Sequence, residues 1–286
     1  MPHIKQQRIF RSLWWACNIL LAVAMLALVW TSAWEYSVRL YLNGFSDAVV
    51  PDSVPDQQKV ESILNWMRSG PARLETQHPM ELSPRDPQNT LNYRQLLQVC
   101  GTATNAFLNL ARSSDLQVRR LLLLSPARTA KHVVAEVYLD GRWIIVDPTY
   151  RTILKDARGN FLTRKDLQNP EMFREATSQI PGYNPDFSYE SFAHVRLSAL
   201  PLRGFHIRKM FDRVFPSWDD YVDWSLLLER RSFLYLFFSV NSLLFLLCLR
   251  LLLAWLADHR LQVPRFHLRA NLSRAMSAFF STPEIK

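Results

Sequence analysis

Two long segments that are almost free of charge constrain the fold of this chain more than any other feature. The first covers residues 12–34, which are 23 residues without a charged side chain. The second covers residues 232–257, and its single charged residue is Arg250. At 1.5 Å per helical residue, each is long enough to cross a hydrocarbon layer of about 30 Å, and the long side chain of Arg250 can reach an interface. We therefore predict two transmembrane helices.

Tryptophans flank the first segment at both ends, as is typical of residues at a membrane interface. They are Trp14, Trp15, Trp30 and Trp34. A cleaved signal peptide ending near Thr31-Ser32-Ala33 is the alternative interpretation. Because the apolar run is longer than the core of a signal peptide, the sequence favours an anchor. The mass of the mature protein distinguishes the two.

The excess positive charge of the chain lies at its two ends. Residues 1–11 and 250–286 carry nine basic and two acidic residues, which account for seven of the nine net positive charges. The intervening region is close to neutral, so we expect no nucleic-acid partner. The positive-inside rule predicts a plasma (inner) membrane protein with both termini in the cytoplasm, although Arg230 and Arg231 run against the rule. The predicted order is a cytoplasmic tail (1–11), a span (12–34), an extracytoplasmic domain (35–231, periplasmic in a bacterium), a span (232–257) and a basic cytoplasmic tail (258–286).

The region between the spans has the pattern of an α+β domain. Apolar residues at helical spacing predict a helix at 57–68 and a second helical region at 91–116. Asp140-Gly141 is a strong signal for a two-residue hairpin turn. Three short runs rich in β-branched and apolar residues lie at 118–124, 133–139 and 143–146. Helices followed by an antiparallel sheet indicate the α+β class.

The other segments of this region give weaker signals. Residues 70–90 contain four prolines and predict a loop, and residues 170–190 predict an irregular segment because they are rich in Pro, Gly, Asn and aromatic residues. Thr163 is placed to cap a short helix, with Asp166 at its third position. Residues 217–230 predict a further helix that leads into the second span.

Three residues with chemically useful side chains follow one another in this domain. Cys100 begins an amphipathic helical stretch, His132 opens a predicted strand, and Asp147 closes the next strand. A thiol at a helix N-terminus is biased towards the thiolate, and an adjacent imidazole completes that activation. Because the hairpin makes the two strands neighbours, we expect His132 to lie close to Asp147.

These segments resemble the transglutaminase-like superfamily, whose members share a papain-like core with a cysteine on a helix and histidine and aspartate on successive strands. The resemblance covers roughly residues 57–170 and is most specific between His132 and Pro148. It implies that Cys100 is the nucleophile, that His132 is the general base and acid, and that Asp147 orients the imidazole. The stretch after Asp147 is also similar to that of family members associated with bacterial exopolysaccharide gene clusters.

Four further residues are candidates for binding substrate or the oxyanion. Gln95 and Gln98 precede the cysteine, and either is a potential donor beside the backbone N–H of Cys100. Glu136 shares the strand face of His132, where a structural role is favoured over a catalytic one. The fourth candidate is Tyr150. The cysteines and histidines show no metal-ligand spacing, so we expect neither a metal nor another cofactor.

Two functions from different classes fit these features. The first is a membrane-anchored cysteine enzyme that hydrolyses or transfers acyl groups of an envelope protein, a peptide or a decorated polysaccharide. The second is a non-catalytic assembly factor of a polysaccharide-export or secretion machine, in which the spans contact a membrane partner. The two differ on the need for Cys100: the enzyme requires the thiol and the assembly factor tolerates its loss.

Overall fold

A computed structural model gives the fold of the chain. It describes residues 2–70, 91, 100–127, 129–194, 210, 213–215, 226–227 and 230–261. Two helices are long and apolar enough to cross a membrane, at Arg8–Val49 and Arg231–Arg260. The chain divides into two compact units: the described residues of the first lie within 2–30 and 238–261, and those of the second lie within 31–237. The predicted loop at 70–90 and the predicted helix at 217–230 lie mostly outside the described residues.

The first unit is a pair of apolar helical segments. It comprises the first part of helix α1 (Pro2–Val49) and most of the last long helix (Arg231–Leu256), which continues as a π-helical turn over Ala257–Leu261. Arg250 does not stand alone in this apolar surrounding. Its Nε donates a 2.8 Å hydrogen bond to Oδ1 of Asn18, and its guanidinium lies 5.1 Å from the ring of Trp14. Its charge is therefore held by polar and aromatic partners within the unit.

The second unit contains a five-stranded antiparallel sheet, which confirms the predicted α+β class. The strands are β1 (Val118–Leu124), β2 (Ala130–Leu139), β3 (Arg142–Asp147), β4 (Thr152–Ile153) and β5 (Phe192–Ala193), in the spatial order β4-β3-β2-β1-β5. Tyr138 pairs with Trp143 across the hairpin. Asp140 and Gly141 both have positive φ, at 50° and 79°, as a two-residue turn with the twist of a hairpin requires.

Helices cover one face of the sheet. They are the last part of α1, α2 (Asp56–Ser69) and α3 (Cys100–Ser113). The predicted apolar stripe of α2 is fully buried at Val60, Ile63, Leu64 and Met67. Burial of each such side chain contributes about 1.5–3 kcal/mol. Val38 and Leu42 of α1 enter the same core, so α1 continues beyond its apolar segment into the folded domain.

Smaller elements cover the opposite face. The predicted short helix after Thr163 is a single 3₁₀ turn (Asp166–Gln168). The backbone N–H and the hydroxyl of Thr163 both donate to Oδ2 of Asp166 at 2.8 Å. The prediction of an irregular segment over residues 170–190 is wrong for its first part, which is helix α4 (Pro170–Thr177). Asn169 caps α4 by accepting from the N–H of Glu171, and Pro170 occupies the first turn, where its missing N–H costs nothing.

A buried polar cluster joins α1 to the start of the last long helix, here numbered α5 (Arg231–Leu256), within the second unit. The carboxylate of Glu35 is 3% exposed, and Arg39 and Arg230 each lie 2.8 Å from its Oε1. The hydroxyl of Ser232 donates to Oε2 at 2.8 Å. Because these three donors satisfy both carboxylate oxygens of Glu35, the cluster fixes the two chain segments to each other.

Candidate active site

Cys100 lies where helix α3 meets strand β2. The hydroxyl of Thr104, one turn further along α3, donates a 2.9 Å hydrogen bond to the carbonyl of Val133, which fixes the helix against the strand. The backbone N–H groups of Val133 and Gly101 and the side chain of His132 face the sulfur of Cys100 and favour its charged form. The residue is partly exposed, so its thiol is accessible as well as positioned.

The imidazole of His132 connects this thiol to a carboxylate. Nε2 of His132 lies 2.7 Å from Oδ2 of Asp147, and the two side chains are 3% and 0% exposed. Because Nε2 is occupied by Asp147, Nδ1 is the ring nitrogen left for Cys100. The structure thus brings together the three residues that the sequence singled out, in the order thiol, imidazole and carboxylate.

The turn after β3 holds the carboxylate of Asp147. Its Oδ1 accepts hydrogen bonds from the backbone N–H groups of Thr149 at 3.0 Å and Tyr150 at 3.4 Å. The hydroxyl of Tyr183 also faces Asp147. Burial raises the pKa of Tyr183, so this hydroxyl stays protonated and acts as the donor. With donors on both sides, Asp147 is fixed in one orientation.

The thiol and the imidazole shift each other's pKa. Burial acts to raise the pKa of Cys100, but the hydrogen bond and the charge of His132, with the two backbone N–H groups, outweigh it and lower that pKa below 9.0. Burial acts to lower the pKa of His132, but Asp147 and Cys100 raise it to about 9. These directions favour the thiolate and imidazolium forms of the pair, which together are the activated state of a nucleophilic cysteine.

Aromatic rings surround the imidazole. Phe187 stacks on His132 with ring centroids 4.2 Å apart and an interplanar angle of 4°. Tyr150 and Tyr183 meet the imidazole edge-on at 6.0 and 6.5 Å. The sequence indicates only that Phe187 and Tyr183 either line a groove or belong to the core, and it does not predict that their rings meet His132.

A second histidine and carboxylate pair lies on the same sheet. Glu136 is 1% exposed, and its Oε2 accepts from Nε of Arg119 at 2.6 Å and from Nε2 of His194 at 2.9 Å. Burial acts to raise the pKa of Glu136, but His194, Arg119 and Arg164 lower it overall. This ion cluster explains the buried charge of Glu136 without a substrate, so the geometry favours the structural role.

The remaining predicted candidates have different outcomes. Gln95 and Gln98 lie outside the described residues. Tyr150 adjoins the imidazole, but its hydroxyl donates to the carbonyl of Gly182 at 3.1 Å, so the phenol is engaged within the protein. In the part of the chain that the structure describes, no group of three His, Cys, Asp or Glu side chains forms a metal site.

Comparison with known families adds a finding to this geometry. Residues 44–148 match the model of the transglutaminase-like superfamily. The chain contains a transglutaminase-like domain. The match covers just over a third of the chain, includes Cys100, His132 and Asp147, and ends before Tyr150 and the aromatic residues that surround the imidazole. No curated protein and no solved structure matches the chain.

Proposed function

We propose that the transglutaminase-like domain is a membrane-anchored cysteine enzyme that cleaves or transfers acyl groups outside the cytoplasm. The continuous contact from Cys100 through His132 to Asp147, with the opposed pKa shifts of the thiol and the imidazole, carries this proposal. The proposed substrate is an envelope protein, a peptide or a decorated polysaccharide, and no cofactor is required.

The proposed reaction has two steps. The thiolate of Cys100 attacks an amide or ester carbonyl carbon, and the imidazolium of His132 gives its proton to the departing amine or alcohol, which leaves a thioester on Cys100. Water or an amine then attacks the thioester while His132 takes its proton, and the thiolate of Cys100 leaves. Asp147 keeps one tautomer and stabilises the imidazolium throughout. Water makes the reaction a hydrolysis, whereas an amine makes it a transfer.

The oxyanion of the tetrahedral intermediate requires nearby donors. The backbone N–H groups at Cys100 and Gly101 adjoin the sulfur, and Gln95 or Gln98 is the proposed side-chain donor. Since two apolar helices flank the domain in sequence, the proposed substrates lie close to the bilayer. This placement also agrees with an association with exopolysaccharide production.

The proposed topology puts both termini in the cytoplasm and the domain in the periplasm, on the basis of the basic tails. Arg230, which runs against the rule, is held by Glu35. In a chain whose native cysteines are replaced by serine, we expect a membrane-impermeant maleimide to label Arg158→Cys in cells with a permeabilised outer membrane. Ser281→Cys should be labelled only after the inner membrane is broken, and the reverse pattern would overturn this topology.

The pH dependence of Cys100 alkylation by iodoacetamide tests the activated thiol. The experiment uses the full chain in detergent, with Cys17→Ser and Cys248→Ser. An ordinary cysteine has a pKa near 8.5 and is about 0.3% thiolate at pH 6, whereas an activated one titrates at roughly 3.5–7.5. We therefore expect rapid alkylation at pH 6 and a loss of about 100-fold in His132→Ala.

His194→Ala is the matched control, because it also removes a buried imidazole that pairs with a carboxylate on the same sheet. It should leave the alkylation profile unchanged. An ordinary titration of Cys100 that is unaffected by His132→Ala would refute the enzymatic proposal. The assembly-factor alternative would then be supported by full function of Cys100→Ala at normal abundance.

A further inference from the structure

Residues 180–190, here called the aromatic segment, lie beyond the part of the chain that matches the family. Three of its aromatic side chains, Tyr183, Phe187 and Tyr189, belong to or pack against the hydrophobic core that includes Val134 of β2. The segment is far from His132 in sequence, yet it supplies the ring that is stacked on the imidazole. Its position is thus tied both to the domain core and to the proposed active site.

The hydroxyl groups of the aromatic segment form a chain that ends at the carboxylate. Oη of Tyr189 lies 3.3 Å from Oη of Tyr183, and the hydroxyl of Tyr183 faces Asp147. Tyr189 and Tyr183 are 1% and 9% exposed, so water does not readily replace these bonds. Between the two phenols either oxygen can be the donor, and Asp147 and Tyr189 are both acceptors for the single hydroxyl proton of Tyr183.

Phe187 covers the imidazole itself. Its ring is parallel to that of His132 at 4.2 Å, which restricts rotation of the imidazole and excludes water from one of its faces. A ring face also attracts a cation, so this stacking favours the imidazolium. Phe187 is only partly buried, and its ring also lies 5.7 Å from that of Tyr183.

We infer that Phe187 is a positioning residue that fixes the imidazole of His132 and shields its hydrogen bond to Asp147 from water. Tyr183 assists by holding the carboxylate. Among the described residues, the charged and titratable groups that face the imidazole are Cys100 from α3, Asp147 from β3, and the phenols of Tyr150 and Tyr183. The contribution of Phe187 to catalysis rests on the proposed function, whereas its contact with His132 does not.

The titration of His132, followed by NMR of the labelled imidazole in the full chain in detergent, tests this role without an activity assay. His132→Asn assigns the signal. In Phe187→Ala, relief of burial acts to raise the pKa of His132, but water competes for its hydrogen bond to Asp147 and the stacked ring that favours the imidazolium is lost. We expect the two losses to outweigh the relief of burial, so the pKa of His132 should fall by about one unit from about 9. Phe187→Tyr keeps the stacked ring and should restore the original titration.

Two controls separate positioning from stability. Phe173→Leu removes another ring that contacts Tyr183 and Tyr189, so it should lower the unfolding temperature without moving the titration of His132. Tyr183→Phe removes a donor that competes with the imidazole for the charge of Asp147, so it should shift the pKa of His132 upward. Equal titration curves for Phe187→Ala and Phe173→Leu would overturn the inference.

The same samples distinguish failure of this inference from failure of the proposed function. If Cys100 in the wild-type chain reacts as an ordinary thiol while Phe187→Ala still lowers the pKa of His132, the enzymatic proposal fails and the positioning role stands. If Cys100 is activated and Phe187→Ala changes neither its alkylation profile nor the titration of His132, the positioning role fails and the enzymatic proposal stands.

Discussion

The sheet carries two buried histidine and carboxylate pairs that look alike and differ in their third partner. His132 and Asp147 are 2.7 Å apart, and His194 and Glu136 are 2.9 Å apart. Cys100 completes the first group, whereas Arg119 completes the second at 2.6 Å. The geometry of a histidine and a carboxylate alone therefore does not identify a catalytic group.

The third partner of each pair determines whether the histidine must supply the positive charge that faces the carboxylate. Arg119 is always positive, so it balances Glu136 whatever the protonation state of His194. In the other pair, His132 itself supplies the positive charge facing Asp147, and its pKa rises to about 9. A raised imidazole pKa beside an accessible thiol lets the proton of the thiol pass to the ring. A histidine and a carboxylate thus form the proposed catalytic group near the start of β2, whereas the other pair balances charge near the middle of that strand.

Removal of Glu136 should have the largest effect on stability. Glu136→Leu leaves the largely buried guanidinium of Arg119, 12% exposed, without its carboxylate. Loss of one partner of a buried ion pair typically costs about 3–5 kcal/mol, so we expect a decrease of that size in the free energy of unfolding, measured with denaturant in detergent. Asp147→Asn keeps the shape of the side chain, so we expect a smaller decrease in the free energy of unfolding. The same variant should change the rate of Cys100 alkylation. Equal stability of Glu136→Leu and the wild type would contradict the charge-balance role.

The contacts of Glu136 with His194 and Arg119 also predict how the stability of the protein depends on pH. The pKa of Glu136 is lowered by His194 and Arg119 in the folded protein, against the opposing effect of burial. A carboxylate of this kind contributes stability above its unfolded pKa of 4.5, and that contribution is lost as the pH falls through the lower folded value. The difference in unfolding free energy between the wild type and Glu136→Gln should therefore shrink below about pH 4.5. A difference that is constant down to pH 3 would exclude this linkage.

The two pairs also differ in how far the sequence predicts them. His132 and Asp147 are 15 residues apart and joined by a hairpin, so the turn signal at Asp140-Gly141 was sufficient to predict their contact. His194 and Glu136 are 58 residues apart, and β5 is a two-residue strand with little periodicity of its own. Local turn chemistry could not indicate that β5 pairs with β1.

Helix α4 and the stacked ring of Phe187 illustrate two different limits of sequence interpretation. The start of α4 had a local signal, Asn169-Pro170-Glu171, which the surrounding Pro, Gly and aromatic content obscured. The position of Phe187 has no local signal, because it depends on how an irregular segment packs over the finished sheet. The catalytic candidates were thus predictable from motifs, whereas their surroundings depend on long-range packing.

The smallest predicted effect that distinguishes the His132–Asp147 pair from the His194–Glu136 pair comes from a substitution in the turn between β2 and β3. Gly141 has φ of 79°, and no atom would lie within 4 Å of an added Cβ, so Gly141→Ala introduces backbone strain of about 1–2 kcal/mol and no clash. Because this turn sets the register between β2 and β3, the strain should weaken the contact of His132 with Asp147. The pairing of β1 with β2, which carries Arg119 and Glu136, should be preserved.

The measurement compares unfolding and Cys100 alkylation at pH 6 in two glycine variants. Gly159→Ala is the matched control, because Gly159 has φ of 84° in a turn that does not join β2 to β3, and an added Cβ would also meet no atom within 4 Å. Both variants should lose a similar amount of stability, since both place alanine in the same disfavoured conformation. Slower alkylation in Gly141→Ala alone would show that the hairpin aligns the imidazole with its carboxylate. Equal alkylation in both variants would mean that the surrounding rings hold His132 in place without help from the turn.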